Sequence, residues 1–155
     1  MTTSRLADLL RTTKRKRPRV LRLTAPSPDN IARPERVEQA AVFTWAGHAM
    51  RQWPELRLLF AVPNGGYRLP REASMLVAQG VRSGVPDMLL AVARGGFMAL
   101  AIEMKTKGKK PTDLQQAWLT ALAEQGWKTE VCYSATEAIE VLRAYMQAAP
   151  TRLAA

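Results

Sequence analysis

The chain is poor in the residues that build metal clusters and disulfide frameworks. It has one cysteine, Cys132, and one histidine, His48. A lone cysteine excludes an internal disulfide, and no Cys/His set has zinc-ligand spacing. Cys132 lies in the apolar run Val131-Cys132-Tyr133 and reads as a small core residue. His48 falls on the apolar side of a helical stretch and reads as packed rather than as a general base. Aromatics make up only 6% of the chain, and Trp45, Trp53, Trp118 and Trp127 read as core rather than as base-stacking platforms. No apolar stretch approaches the roughly 20 residues that span a bilayer. No apolar signal core precedes the N-terminal charges, so a cytoplasmic setting is expected, in a bacterium or a phage-infected host.

Acids are also scarce. Against 23 Lys+Arg there are 13 Asp+Glu, a formal charge of +10 over 155 residues. That length suits one domain with a modest core. The excess of cations favours a polyanionic partner, most simply nucleic acid.

The chain divides into a basic arm at 1–33, a globular part at 34–149 and a short tail at 150–155. The arm holds Lys14, Arg15, Lys16, Arg17, Arg19 and Arg22, followed by Pro26, Pro28 and Pro34. It is either a solvated tail or a phosphate-contacting arm that orders on binding. Beyond it, Val37, Ala40, Ala41, Trp45, His48 and Ala49 recur at helical spacing until Trp53-Pro54. Leu56 to Val62 reads as a strand, and Pro63-Asn64-Gly65-Gly66 breaks it. Pro70 to Gln79 reads as a helix stopped by Gly80. Pro86 to Ala93 and Phe97 to Lys105 read as strands joined at Arg94-Gly95-Gly96. A helix from Pro111 to Gln125, a strand from Trp127 to Tyr133 and a helix from Ser134 to about Gln147 complete the order. The fold class is α/β: a mixed four-stranded sheet flanked by helices, in the order αβαββαβα.

Acids are informative where they do occur. Gly84-Val85-Pro86-Asp87 opens one apolar run, and Glu103-Met104-Lys105 closes the next. Strand periodicity puts Glu103 and Lys105 on one face and Met104 on the other. If Arg94, Gly95 and Gly96 form a three-residue loop, Ala93 faces Phe97 and Asp87 lies opposite Glu103 on the same face. A two-residue loop without a bulge would point the acids apart. Two such carboxylates repel, and a hard divalent cation relieves them. A metal-activated water could then attack phosphorus, while Lys105 orients it or stabilises the developing charge.

Other residues are candidates for supporting roles. Glu38, beside the apolar stripe of the first helix, could reach the cluster directly or through water, whereas Glu35 reads as a solvated N-terminal acid. Gln115 could position a water or phosphate. Asn64, Gly65, Gly66 and Arg68 could let backbone amides and a cation approach phosphate, or could form only a turn that needs glycine. Lys107, Lys109 and Lys110 follow the Glu-x-Lys strand and would face a DNA backbone.

Together these motifs resemble the VRR-NUC family, the virus-type replication-repair nuclease branch of the PD-(D/E)xK superfamily. The matching residues begin with Glu38-Gln39 and run through Pro63 to Arg68 and Gln79 to Asp87. They continue through Ile102 to Lys107 and Thr112 to Trp118. Pro111-Thr112 stands where Ser-Pro is frequent in the family. The resemblance implies a restriction-endonuclease-like core and a Mg2+-dependent nuclease, with Mn2+ an alternative. It carries ligand roles to Asp87, Glu103, Glu38 and the Met104 backbone carbonyl, a catalytic role to Lys105, and a supporting role to Gln115. It also implies a homodimer acting on branched DNA such as Holliday junctions. The alternatives are a restriction-like nuclease on linear duplex and a non-catalytic DNA-binding or assembly protein that keeps the fold.

Overall fold

The computed structural model describes residues 35–63 and 75–152. The basic arm, the turn residues Asn64, Gly65 and Gly66, Arg68 and the start of the helix expected from Pro70 lie outside the described residues. Helix α1 spans Glu35–Ala49. A 3-10 turn, Pro54–Leu58, leads into strand β1, Leu59–Ala61. A helical stretch at 75–78 follows. Next come β2 (Met88–Leu90), β3 (Leu100–Met104), α2 (Asp113–Glu124), β4 (Lys128–Cys132) and α3 (Ala135–Gln147).

The strands form one sheet in the order β1-β2-β3-β4. The first two pairings are antiparallel, and β3 pairs with β4 in parallel. This is the mixed sheet expected from a hairpin followed by a strand-helix-strand crossover. Alternate side chains of β2 and β3 (Met88, Leu90, Leu100, Ile102 and Met104) point into the core cluster. They meet Val42 and Ala46 of α1 and Ala138, Leu142 and Met146 of α3 there. The intervening residues, Ala101 and Glu103, face the other side, where α2 lies against β3 and β4. β3 is buried along its whole length, as a central strand covered on both faces must be.

The expected strand Leu56 to Val62 is only half right. Pro54 stands in the first turn of the 3-10 helix, and the Leu56 N–H donates to Trp53 O at 3.1 Å. Proline fixes φ near the helical value, so the run winds before it extends. His48 is another correction: it is exposed rather than packed. Val37, placed in the apolar stripe, is also half exposed.

The hairpin keeps its expected register by a different route. Met88 pairs with Ile102 and Leu90 with Leu100, so the count carries Asp87 opposite Glu103. The tip, however, is a two-residue turn. Arg94 bridges Phe97, with Gly95 and Gly96 both at positive φ. Ala91, Val92 and Ala93 therefore stand against only Met98 and Ala99. This one-residue excess, a bulge, restores the register that a three-residue loop would have given.

The chain's last described turn is fastened to this tip. Gly95 N–H donates to Ala149 O at 2.8 Å, and Thr151 N–H donates to Ala93 O at 3.1 Å. Thr151 Oγ1 donates to Phe97 O and accepts from Gly96 N–H. The globular fold thus reaches Thr151 rather than closing at 149.

Candidate active site

The Gly84-Val85-Pro86-Asp87 run is held against the start of α2. Gly84 has φ +86°, and a Cβ there would sit 2.8 Å from Leu114 Cβ and 2.9 Å from its carbonyl carbon. Only glycine satisfies both the conformation and the approach. The Trp118 indole N–H donates to Ser83 O at 3.0 Å, a second tie between the same segments.

Asp87 closes this run, immediately before β2. Its backbone carbonyl accepts from Val62 N–H at 2.8 Å, extending the β1–β2 ladder by one bond. Its side-chain Oδ2 accepts from Met104 N–H at 2.9 Å. The carboxylate therefore takes the place of a strand carbonyl at the end of the β2–β3 pair. Burial raises the Asp87 pKa, opposed by the Met104 N–H and Lys105 and reinforced by Glu35.

Glu103 is the one polar or charged side chain among the buried described residues. Its Oε1 takes the Lys105 ammonium at 2.7 Å and also accepts from Gln115 Nε2. Its Oε2 is buried without a hydrogen-bond partner. Burial pushes the Glu103 carboxyl up to about 7; Lys105 opposes the rise, while Asp87 and Glu35 add to it. Lys105 is itself nearly buried and also donates to Met104 O at 3.3 Å.

Gln115 reaches Glu103 because α2 begins with a capping box. Thr112 Oγ1 accepts from Gln115 N–H, and Gln115 Oε1 accepts from Thr112 N–H at 2.9 Å. The amide oxygen is thus fixed on the cap, and the amide nitrogen is left to face Glu103. Pro111-Thr112 retains a working N-cap, so the departure from Ser-Pro costs the helix start nothing visible.

Helix α1 turns two acids, Glu35 and Glu38, toward the cavity beside Lys105. Glu38 Oε2 accepts from Ala135 N–H at 2.7 Å, at the start of α3. Its carboxylate braces a helix N-terminus rather than joining Asp87 and Glu103. Glu35, one turn earlier, acts electrostatically on both acids. Its Oε1 accepts from Thr106 N–H at 2.9 Å and from Thr106 Oγ1. It also lies where two cavities meet, one shared with Asp87 and the other with Lys105. The helical spacing puts Glu35 and Glu38 on one face, and nothing in that spacing selects between them. Thr106, which donates to Glu35 through both its N–H and its hydroxyl, was given no role of its own from the sequence.

The structure therefore brings Asp87, Glu103, Lys105, Gln115 and the Met104 backbone together. Glu38 borders the cavity shared with Met104 and Lys105 but is hydrogen-bonded to Ala135 N–H, and Asn64, Gly65, Gly66 and Arg68 lie outside the described residues. Lys107, Lys109 and Lys110 are exposed on the loop beyond β3. Among the described residues, no group of three or more His, Cys, Asp or Glu is placed to hold a metal ion. The oxygen donors at the centre are two carboxylates and the Met104 carbonyl. Magnesium commonly takes one or two carboxylates and keeps waters or substrate oxygens in its other positions. The unpartnered buried Oε2 of Glu103 fits such a cation.

Comparisons with known proteins bear on the family and the fold. The family model described as the VRR-NUC domain matches residues 33–136. A solved structure described as a VRR_NUC domain protein shares the fold, with TM-score 0.61 and 23% sequence identity. The similarity covers 74% of this chain and 92% of that one. No curated protein gives a match.

Proposed function

Because this chain belongs to the VRR-NUC family, a nuclease family, we propose that it is a metal-dependent endonuclease hydrolysing DNA phosphodiester bonds, with branched DNA such as a Holliday junction as its substrate. The observation that carries this reading is the fully buried Glu103, opposite Asp87 in the ladder count, with one oxygen loaded by Lys105 and Gln115 and the other unpartnered. A buried, unsatisfied carboxylate oxygen is costly, and a functional cation site justifies it.

In this reading Asp87, Glu103 and the Met104 carbonyl would hold Mg2+, with Mn2+ as a substitute. When bound, the ion lowers the pKa of a coordinated water and neutralises phosphate charge. The protein's own groups do the rest. Gln115 fixes the rotamer of Glu103. Lys105 presents its ammonium to the reacting phosphate and stabilises the charge that builds as the water oxygen bonds to phosphorus and the sugar oxygen leaves. Glu35, at the meeting of the two cavities, accepts a hydrogen bond from water beside the phosphate. Lys107, Lys109 and Lys110 attract the DNA backbone.

The test is a panel of linear, flap, splayed and four-way DNA incubated with Mg2+ or Mn2+. Cutting of branched DNA that Glu103→Ala abolishes supports the proposal. Cutting restricted to linear duplex supports the restriction-like alternative, and binding without cutting in either metal leaves a DNA-binding protein. Symmetric cutting of two strands needs two sites, and hence a homodimer. Light scattering of the purified protein tests this. Among the described residues, no helix is long and apolar enough to cross a membrane.

A further inference from the structure

Tyr133 has no part in the constellation above, yet it lies beside it. It follows β4 directly and is 38% exposed. The residue before it supplies the carbonyl that accepts Lys105 N–H at 2.8 Å. Its own N–H donates to Glu137 Oε2 at 2.6 Å. The tyrosine backbone is therefore pinned on both sides, one residue from a direct bond to the catalytic lysine. Its side chain borders two adjoining cavities. One is shared with Glu35 and Lys105, and the other, of about 390 Å3, with Gly108 and Ser134. Lys107 borders both cavities as well.

The charge around this aromatic determines what it can receive. Glu35, Glu38 and Glu137 all line the two cavities. Each carboxylate is held by a backbone N–H, of Thr106, Ala135 and Tyr133 respectively. Lys105 takes the reacting phosphate at one end of the first cavity, and away from it the three fixed carboxylates disfavour a second phosphate except at Lys107. A neutral planar group meets no such repulsion, and its amino hydrogens find carboxylate acceptors. A nucleobase is such a group. Within a duplex its faces are covered by neighbouring pairs, so only an unpaired base can offer one to a side chain.

We propose that Tyr133 and Lys107 seat an unpaired nucleotide next to the reactive phosphate, the base stacked on the tyrosine ring and its phosphate on the lysine. The proposal rests on the nuclease reading for its substrate, and it narrows that substrate to DNA with a single-stranded or opened nucleotide at the cleavage point.

The experiment uses metal-free protein in EDTA, so that nothing is cut. The probe is a single-stranded oligodeoxynucleotide carrying 2-aminopurine, whose fluorescence falls when it stacks. Wild type and Tyr133→Phe are expected to quench it. Tyr133→Ala should abolish the quench and weaken single-strand binding by about tenfold, the range of one lost stacking contact, while blunt duplex binding stays unchanged. Lys107→Ala should lower affinity and reduce the salt dependence of single-strand binding. Quenching by Tyr133→Ala equal to wild type, or equal losses for single strand and duplex, would overturn the proposal. So would a wild type that binds no single strand. Cleavage with Mg2+ is read separately: an active nuclease with no Tyr133-dependent quench sinks only this inference. An inactive protein that quenches through Tyr133 sinks only the nuclease reading.

Discussion

Gln115 Nε2 donates to Glu103 Oε1, the same carboxylate oxygen that takes the Lys105 ammonium. Oε2 is left as the buried oxygen with no partner. Gln115 is in turn fixed by the Thr112 cap. Supports of this kind typically set ligand orientation, and their loss costs about 10- to 100-fold in metal affinity or activity. Gln115→Ala is expected to raise the Mg2+ concentration for half-maximal cleavage by about that factor. The Thr112 hydroxyl still caps the helix, so the melting temperature should change little. Metal-titrated cleavage assays alongside thermal melts check both statements.

Glu103 makes metal-free stability depend on pH. Its folded pKa is about 7 and its reference value is 4.5. Between these values the folded chain binds more protons than the unfolded chain, so stability falls as pH rises. The loss is complete above about pH 7 and amounts to about 3 kcal/mol. Asp87, also raised by burial, acts in the same direction. Melts in EDTA from pH 4 to 8 should show this decline, Glu103→Gln should flatten it, and Mg2+ should restore stability at the alkaline end. A wild-type profile as flat as that of Glu103→Gln would contradict the environment described for this carboxyl.

The two acids of α1 should separate cleanly. Glu38→Ala removes the carboxylate from Ala135 N–H and should cost about 1–2 kcal/mol of stability, with cleavage by the folded protein largely kept. Glu35→Gln should lower cleavage at least tenfold with little change in melting, because the amide oxygen can still accept from Thr106. The reverse pattern, with activity lost on Glu38→Ala alone, would return the role to Glu38.

Gly84→Ala should be severe for its size. It forces a side chain into positive φ and against the backbone of Leu114. Left-handed backbone and overpacking together are worth about 2–4 kcal/mol. Since Leu114 adjoins Gln115, cleavage should fall even below the melting temperature. Denaturant titration and kcat on the folded fraction would separate the two effects.

Much of this site could be read from residue order alone, because strand periodicity is rigid. The spacing of Asp87 and Glu103 places them in register only if the loop has three residues or a bulge intervenes, and a bulge plus the tight Gly95-Gly96 turn delivers it. Lys105 followed from the same period of two. The choice between Glu35 and Glu38 was not legible. It depends on where the β3 loop places Thr106 and where α3 begins, contacts separated from α1 by 71 and 97 residues. The exposure of His48 escaped for a related reason. A helical stripe gives a direction, but the width of the buried face is set by what packs on it. The 3-10 turn was signalled by Pro54, but the apolar run behind it reads equally as strand.

The bond from Met104 N–H to Asp87 Oδ2 has a practical consequence. The acid doubles as the last rung between β2 and β3, so deleting it removes the β2-side bond at Met104, between Glu103 and Lys105. Asp87→Asn keeps an oxygen acceptor for the Met104 N–H in a side chain of the same shape while losing the charge and one carboxylate oxygen. An inert protein for trapping uncut DNA is therefore better made with the amide than with alanine. An alanine scan at this position would count a loosened scaffold as lost chemistry.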